Sequence, residues 1–348
     1  MRSIVLSLAV MGGLFAVYGT PAAAAAEAKE IVFPAPPDVP RIKYLRSLAR
    51  ESDISGRKSG MWGKFLNAIT GKEASNIFMT RPYDVCADTG SVYVSDSEGG
   101  AVVAFNLQSG KAYKIGGTLE GRLVSPMGVA LDSSGRLFVA DSAGDTIKVF
   151  SVNGDFLFRF GLSGSGPGQL KKPLDVTYDR GRDRILVADS GNARIQIFDT
   201  AGKFIAQIGS RGTADGQFSI PVGVAVAPDG RVIVSDTMLC RVQEFSPDGK
   251  FLLKFGEQGD SLGYFARPKG VATDSDGNIY VADALFSAIQ IFDPKGELLM
   301  HFGAEGGEPG AFQLPIGVYV DDQDKVYIAD SFNQRVQVFQ YLKQPKAP

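Results

Sequence analysis

Apolar residues in this chain fall into short runs of strand length, separated by turn-forming residues. In one stretch the runs are 176–178, 185–188, 195–198 and 204–208, and they are rich in β-branched and aromatic residues. Dipeptides such as Asp229-Gly230 and Asp276-Gly277 occupy the first turn of other copies, as hairpin turns require. The pattern predicts four antiparallel strands joined by tight turns.

This four-strand unit recurs six times, and each copy opens on a proline. The prolines are spaced 44 to 48 residues apart, at Pro82, Pro126, Pro173, Pro221, Pro268 and Pro315. A repeat of that length is typical of propeller blades, and a small sheet with two apolar faces has to stack on neighbours to bury both. The sequence therefore predicts an all-β, six-bladed β-propeller.

Two further positions recur between the units. A glycine follows the fourth strand in most copies, and an apolar residue lies three positions before each later proline. We expect these apolar residues to fill the space between adjacent blades: Leu123, Leu170, Phe218, Phe265 and Phe312.

The sixth copy ends after its third strand, so the last blade lacks a fourth strand at its C-terminal end. Residues 41–48, RIKYLRSL, form an extended segment ahead of the first unit. We expect this segment to become the outer strand of the last blade, because closure of the ring removes free sheet edges.

The copies share the pattern P-x-G-V-A-V-D, then VADS, then R-I-Q-V-F, then F-x-x-x-F-G. This pattern resembles the NHL-repeat six-bladed β-propellers of exported bacterial proteins, over roughly residues 40 to 341. The resemblance implies the propeller fold, but propellers of this kind serve many functions, so it does not imply a single one.

The ends of the chain differ in composition from the repeats. Residues 1–26 predict a secretory signal, with Arg2 at the start, an apolar core and an alanine-rich cleavage region. The expected order is a signal peptide at 1–26, a proline-rich lead at 27–40, the propeller at 41–343 with a helical insertion at 51–80, and a tail at 344–348. We expect a periplasmic or secreted protein, without stable membrane insertion after cleavage.

The insertion carries an apolar face. Trp62, Phe65, Leu66 and Ile69 follow the i, i+3, i+4, i+7 spacing of a short helix. Such a helix needs packing to persist, and it could pack on its own propeller or dock a partner. We place it on the face that carries the loops after the second strands, where it could also act as a lid.

Charge and cysteine content narrow the function. The net charge of −2 gives no electrostatic footprint for nucleic acid. Cys86 and Cys240 fall in the first and fourth copies, on opposite sides of a six-membered ring, so we expect free thiols.

Candidate chemistry is sparse. The amidating lyases, which are similar by their NHL repeats, use histidine-held zinc, whereas this chain has one histidine, His301, in a predicted outer strand. No G-x-S-x-G motif is present. An aspartate ends each second strand and could either accept hydrogen bonds from turn N–H groups or form a weak cation site: Asp96, Asp141, Asp189, Asp236, Asp283 and Asp330. Glu244 stands where other copies carry Val or Ile, and we expect a salt bridge there.

The copies differ most in the loop after the second strand. That loop is polar in the early copies and apolar in the later ones, and the residue after each repeat proline should lie on the same face. Apolar loops imply a lid or a binding surface. The candidate binding residues are Tyr83, Met127, Leu174, Met238, Leu239, Leu285, Phe286, Ile316 and Phe332.

The expected function is therefore an exported, non-catalytic binding or scaffold module, acting as a monomer without a cofactor. Its partner would be a protein segment or a small apolar ligand. Two alternatives stay open: a metal-dependent enzyme of the lyase or lactonase kind, and the sensor or scaffold ectodomain of an envelope complex.

Overall fold

The computed structural model describes residues 30–55 and 77–343, and it is a six-bladed β-propeller. Each blade is an antiparallel sheet whose first strand lies nearest the axis. The first strand of blade 6 packs against that of blade 1, which closes the ring. The predicted fold class is confirmed.

The first three blades are formed in sequence order, one repeat each. Their strands are Pro82–Ala87, Ser91–Asp96, Ala101–Asn106 and Lys111–Ile115 in blade 1; Pro126–Leu131, Arg136–Asp141, Thr146–Ser151 and Phe156–Phe160 in blade 2; and Pro173–Asp179, Arg184–Asp189, Arg194–Asp199 and Phe204–Ile208 in blade 3. A short parallel pair, Leu162–Ser163 with Gln169–Leu170, lies in the connection between blades 2 and 3. Single 3-10 turns span Glu51–Asp53, Ser142–Gly144 and Ser190–Asn192.

Blades 4 and 5 repeat this arrangement, and blade 6 takes its outer strands from the N-terminal side. The strands are Pro221–Val226, Val232–Asp236, Arg241–Phe245 and Phe251–Phe255 in blade 4; Pro268–Thr273, Ile279–Asp283, Ala288–Phe292 and Leu298–Phe302 in blade 5; and Pro315–Val320, Lys325–Asp330, Arg335–Tyr341, Ile42–Leu48 and Val32–Phe33 in blade 6.

Blade 6 shows how the ring is closed. Ile42 pairs with Tyr341 and Leu48 with Val336, so the segment before the first repeat forms the fourth strand of the last blade. A fifth strand, which the sequence did not indicate, pairs Val32 with Lys43. The Phe33 ring in this strand lies 5.6 Å from that of Phe302. Part of the proline-rich lead is therefore built into the sheet.

The core lies between blades rather than within them. Six clusters of buried apolar residues each join two neighbouring blades, including blades 6 and 1. The residues predicted to fill these gaps are confirmed in that role, with Leu123 3% exposed and Leu170, Phe218, Phe265 and Phe312 fully buried.

The glycine after the fourth strand makes room for these residues. Gly256 adopts φ of +81°, and a Cβ there would lie 2.2 Å from Cε2 of Phe265. The same close approach occurs at three other blades, where Gly161 faces Leu170, Gly209 faces Phe218 and Gly303 faces Phe312. Glycine is required at this position both for the left-handed backbone and for the space.

The register defines the two ends of the ring. Each repeat proline pairs with the aspartate that ends the second strand, as Pro173 pairs with Asp189. One end is called the loop face below. It carries these prolines, the loops after the second strands and the connections between blades. The opposite end carries the two hairpin turns of each blade and is called the turn face.

Blades 2 to 6 share an irregularity in the outer strand that blade 1 lacks. A β-bulge places one exposed aliphatic residue on the rim of each of these blades: Leu157, Ile205, Leu252, Leu299 and Leu45. Bulges of this kind bend an edge strand and discourage pairing with other chains.

The predicted insertion helix lies outside the described residues. Its flank at Ser55 is described, and the Ser55 Cα lies close to Gly110 in a hairpin turn of blade 1. This flank is at the turn face, whereas the other described flank reaches the loop face, where Asp96 accepts the N–H of Thr80. The placement of the insertion on the loop face stays a prediction. In the described part of the chain, no helix is long and apolar enough to span a membrane.

Candidate functional site

The six aspartates that end the second strands hold the loop face together. All six are fully buried. Asp283 accepts the N–H groups of Ala266 at 2.8 Å and Arg267 at 3.0 Å, in the connection that enters blade 5. The other five accept the equivalent N–H groups of their own connections. The carboxylates thus bind the backbone of the repeat in every blade.

No metal centre is formed by these aspartates in the structure as described. Each sits in a different blade, and the described residues contain no group of three or more His, Cys, Asp or Glu side chains placed to hold a metal ion. Arg or Lys side chains pair with three of them: Lys148 with Asp141, Arg194 with Asp189 and Arg335 with Asp330.

A buried glutamine braces each connection into blades 4 to 6. Gln290 donates to the carbonyl oxygen of Tyr264 at 2.8 Å and accepts the N–H of Gly263 at 2.8 Å. Gln243 and Gln337 make the same pair of bonds in blades 4 and 6. The loop face is therefore a stiff frame, with its backbone groups satisfied from within the blades.

The predicted binding residues separate into three groups. Met238, Leu285 and Phe332 are exposed, at 60%, 61% and 50%. Ile316 is buried, at 7% exposure, and contributes little to the surface. The remaining five are half-buried: Tyr83, Met127, Leu174, Leu239 and Phe286.

Two residues that the sequence analysis did not select extend the exposed group. Leu262 is 51% exposed and Tyr264 is 44% exposed, both in the connection between blades 4 and 5. Their signal was present in the sequence, since they are apolar residues within a Gly- and Ser-rich connection. Together with the three exposed predicted residues they form what is called the apolar patch below: Met238, Leu262, Tyr264, Leu285 and Phe332. Elsewhere on the loop face, Leu119, Val124 and Leu162 are also exposed.

A charged pair borders the apolar patch at blade 1. The guanidinium carbon of Arg81 lies 5.2 Å from the centre of the Phe332 ring, and Nη1 of Arg81 lies 2.9 Å from Oε1 of Glu98. Blade 6 is thereby linked to the loop of blade 1. A cation over an exposed aromatic face attracts it by about 0.5–1 kcal/mol.

The second site is a cavity on the propeller axis, which the sequence analysis missed. It has a volume of about 610 Å³ and reaches from Asp84 and Asp175 on the first strands to the hairpin turns of the turn face. No residue of the apolar patch lines it. The two sites are therefore distinct, one on the loop face and one opening toward the turn face.

Asp84 and Asp175 occupy a position that is glycine in the other four repeats, namely Gly128, Gly223, Gly270 and Gly317. The alignment of the six copies carries this signal, because P-x-D replaces P-x-G in copies 1 and 3. Burial raises the pKa of Asp84 to about 7. The hydrogen bonds that Asp84 accepts from the backbone N–H groups of Val129 and Val85 lower this pKa, but by less. Burial and the nearby Asp84 charge raise the pKa of Asp175 well above its usual range.

Two other titratable groups stand between these carboxyls and the loop face. Burial, together with the charges of Asp175 and Asp84, raises the pKa of Tyr83. Burial lowers the pKa of Lys269 to about 8, and the nearby Arg267 lowers it further. Groups perturbed in this way mark candidate functional positions, although buried structural groups show similar shifts.

Glu244 and the two cysteines complete the predicted residues. Glu244 is fully buried and pairs with Arg231, as expected, while its Oε1 atom has no hydrogen-bond partner in the described structure. Cys86 and Cys240 are both buried free thiols. His301 lies in the outer strand of blade 5.

Comparison with known proteins supports the repeat assignment. The NHL repeat family model matches residues 170–198, 265–292 and 312–339, which fall in blades 3, 5 and 6 and in the connections leading into them. The chain therefore carries NHL repeats, and the resemblance noted in the sequence is confirmed. No curated protein matches the chain in sequence.

Solved structures share the fold at low identity. Virginiamycin B lyase from Staphylococcus aureus is 15% identical with a TM-score of 0.55, covering 76% of this chain and 96% of its own. A gluconolactonase from Xanthomonas campestris is 16% identical with a TM-score of 0.56, covering 77% and 89%. A chain of a nidogen/laminin complex is 19% identical with a TM-score of 0.53, covering 72% and 86%. These similarities show the fold alone.

Proposed function

We propose that this chain is an exported, non-catalytic binding module whose apolar patch docks a segment of a protein partner. The carrying observation is the exposure of Met238, Leu285 and Phe332 at the same loop position in three successive blades. Large apolar side chains grouped on one face of a soluble protein mark interaction sites.

The frame beneath the apolar patch supports a binding role. Asp283 accepts the N–H of Leu285, and Asp236 does the same for Met238 in blade 4. Gln290 braces the adjacent connection at Gly263 and Tyr264. A frame that is already ordered loses little conformational freedom on binding, so more of the contact energy contributes to affinity.

The shape of the apolar patch favours a protein segment over a small apolar ligand. Small ligands bind in concave sites that cover most of their surface, whereas the apolar patch side chains project outward at roughly half exposure or more. The cavity of the described structure lies on the axis and is lined by none of them. A solved chain of this fold comes from a nidogen/laminin complex, which agrees with such a use.

The proposed location rests on the predicted signal at residues 1–26, and we propose that the mature chain acts in the periplasm or outside the cell as a monomer. The non-catalytic role is supported by the six aspartates, whose oxygens bind the backbone of their own blades.

The test compares two triple variants with the wild type. Met238→Ser/Leu285→Ser/Phe332→Ser alters the apolar patch, and Leu157→Ser/Leu252→Ser/Leu299→Ser alters three rim residues of similar exposure. Proteins crosslinked to each form in an envelope extract are quantified, and the best candidate is purified for direct titration.

We expect the purified partner to bind the wild type and the rim variant equally and the patch variant at least about 10-fold more weakly, a loss of about 1.4 kcal/mol. A folded patch variant that binds as tightly as the wild type would contradict the proposal. Stoichiometric metal in the purified protein, with turnover that depends on it, would favour the enzyme alternative instead.

A further inference from the structure

The axial cavity runs from the first strands of the blades to the turn face. Its inner end holds Asp84 of blade 1 and Asp175 of blade 3. At the turn face, Nη1 of Arg180 lies 2.7 Å from Oδ2 of Asp322. Arg180 belongs to blade 3 and Asp322 to blade 6, which stand opposite each other in the ring, so this ion pair crosses the mouth of the cavity.

The two carboxyls at the inner end lie on either side of the first strand of blade 2. Oδ2 of Asp84 accepts the N–H of Val129 at 2.9 Å. Asp175 lies against the neighbouring Gly128, where a Cβ would be 2.7 Å from its Oδ1. The first strands approach so closely here that two side chains from alternate blades share one small space.

Neither carboxyl has a positive partner. Among the described residues, no Lys, Arg or His nitrogen forms an ion pair with Asp84 or Asp175. Their carboxyl oxygens accept hydrogen bonds from backbone N–H groups such as those of Val129 and Val224. By accessible surface both residues are half-buried, and carboxylates withdrawn from water are normally paired with a cation. Four of the six repeats avoid the problem by carrying glycine, so the acids are specific to blades 1 and 3.

The rest of the lining is also acidic. Seven aspartates and two arginines line the cavity: Asp84, Asp175, Asp179, Asp229, Asp274, Asp321, Asp322, Arg180 and Arg182. Arg184 and Arg231 pair with Asp179 and Asp229. Even when Arg184 and Arg231 are added to the two lining arginines, the aspartates outnumber the arginines. Half-buried Tyr178 and Tyr319 contribute aromatic wall, a surface that cations also favour.

The cavity is much larger and longer than a metal ion requires. From Asp175 to Asp179 the wall is one strand, and four steps of a strand span about 13 Å. A linear alkylammonium chain matches this length. It could place one ammonium between Asp84 and Asp175 and another near the acids of the turn face.

We propose that the axial cavity is a binding site for a linear polyamine, which enters at the turn face past the Arg180–Asp322 ion pair. That ion pair is exposed, with the two side chains 66% and 78% accessible, and exposed pairs open readily because they are worth little. This site is independent of the apolar patch, so either proposal can fail alone.

The test is calorimetric titration of the purified full-length protein with spermidine at low salt. Asp84→Asn/Asp175→Asn removes both ionisable carboxyls but keeps an oxygen to accept the Val129 and Val224 N–H groups. Asp84→Gly/Asp175→Gly restores the residue of the other four repeats. The matched control, Glu257→Gln/Asp260→Asn, removes two exposed acids on the loop face.

We expect the wild type and the control to bind spermidine with a stoichiometry of one, and both axial variants to bind at least about 10-fold more weakly. An uncharged chain of similar length, 1,8-octanediol, should not bind. Failure of the wild type to bind, equal binding by folded axial variants, or an equal loss in the control would each overturn the proposal.

The entry route has its own measurement. Arg180→Gln removes the cation from the mouth and should increase the association rate constant for spermidine several-fold in stopped-flow experiments. The loop-face control Arg211→Gln should leave the rate unchanged. An unchanged or lower rate in Arg180→Gln would refute entry past this ion pair. The Met238→Ser/Leu285→Ser/Phe332→Ser variant should bind spermidine normally, which separates this site from the apolar patch.

Discussion

Oδ2 of Asp84 in blade 1 accepts the backbone N–H of Val129 in blade 2 at 2.9 Å. Asp175 repeats this two blades later, where its Oδ2 accepts the N–H of Val224 at 2.8 Å. Each aspartate thus ties the inner strand of its own blade to that of the next. The same bonds bring the two carboxyls close together, where the Asp84 charge raises the pKa of Asp175.

Asp84 is expected to make the stability of the protein pH-dependent. Its pKa is about 7 in the folded protein and near 4 when unfolded, so the folded state binds the proton more tightly. The stabilisation is fully present below about pH 4 and is lost as pH rises through 7. Asp175, whose pKa the Asp84 charge raises further, shares in this titration.

The measurement compares urea unfolding of the wild type and Asp84→Asn from pH 4 to 8. The stability of the wild type relative to the variant should fall over this range by on the order of 2 kcal/mol and then level off. A difference that stays constant with pH would show that Asp84 titrates as an ordinary exposed carboxyl.

Gly256→Ala should destabilise the fold through packing as well as backbone strain. A Cβ at Gly256 meets the Phe265 ring at 2.2 Å, whereas one at Gly263, with φ of +87°, meets nothing within 4 Å. We expect about 1 kcal/mol of destabilisation from Gly263→Ala and about 3 kcal/mol from Gly256→Ala. Chemical denaturation gives the loss of unfolding free energy in each variant, and the difference between the two losses is the packing contribution. Equal losses in the two variants would exclude a packing contribution at Gly256.

Gln290→Ala should loosen one connection of the loop face without unfolding the blade. The change leaves the Gly263 N–H and the Tyr264 carbonyl without the partner they have now, at a cost of about 1–3 kcal/mol. Faster hydrogen exchange at residues 257–267 would report it. The exposed Gln313, changed to Ala, is the control and should leave exchange in its own connection unaltered.

Breaking the Arg231–Glu244 pair should cost more than replacing it. Arg231→Ala leaves a fully buried carboxylate without its cation, a loss of about 3 kcal/mol or more. Adding Glu244→Val, the residue type of blades 2 and 6, should recover much of that loss. Thermal unfolding of the single and double variants tests this, and a double variant less stable than Arg231→Ala would contradict it.

Three features could be predicted because each depends on residues close together in the chain. They are the repeat length, the four strands of each blade and the inter-blade residues. A strand shows as a run of β-branched and aromatic residues, and a required glycine shows as Gly256 nine residues before Phe265. The role of the extended segment before the first repeat could be predicted because the last copy lacked a fourth strand that this segment could supply. The pairing of Val32 with Lys43 was not recognisable, because two residues carry no pattern.

What the chain alone determined, then, is a set of blades and the face on which each loop lies, because alternation and turns are properties of neighbouring residues. Which candidate side chains reach the surface was decided by the ring. Ile316 is buried and Phe332 exposed, although both are apolar residues of the loop face in one blade. The meeting of Asp84 and Asp175 was also decided there, since the arrangement of blades around an axis brings the inner ends of alternate repeats close together.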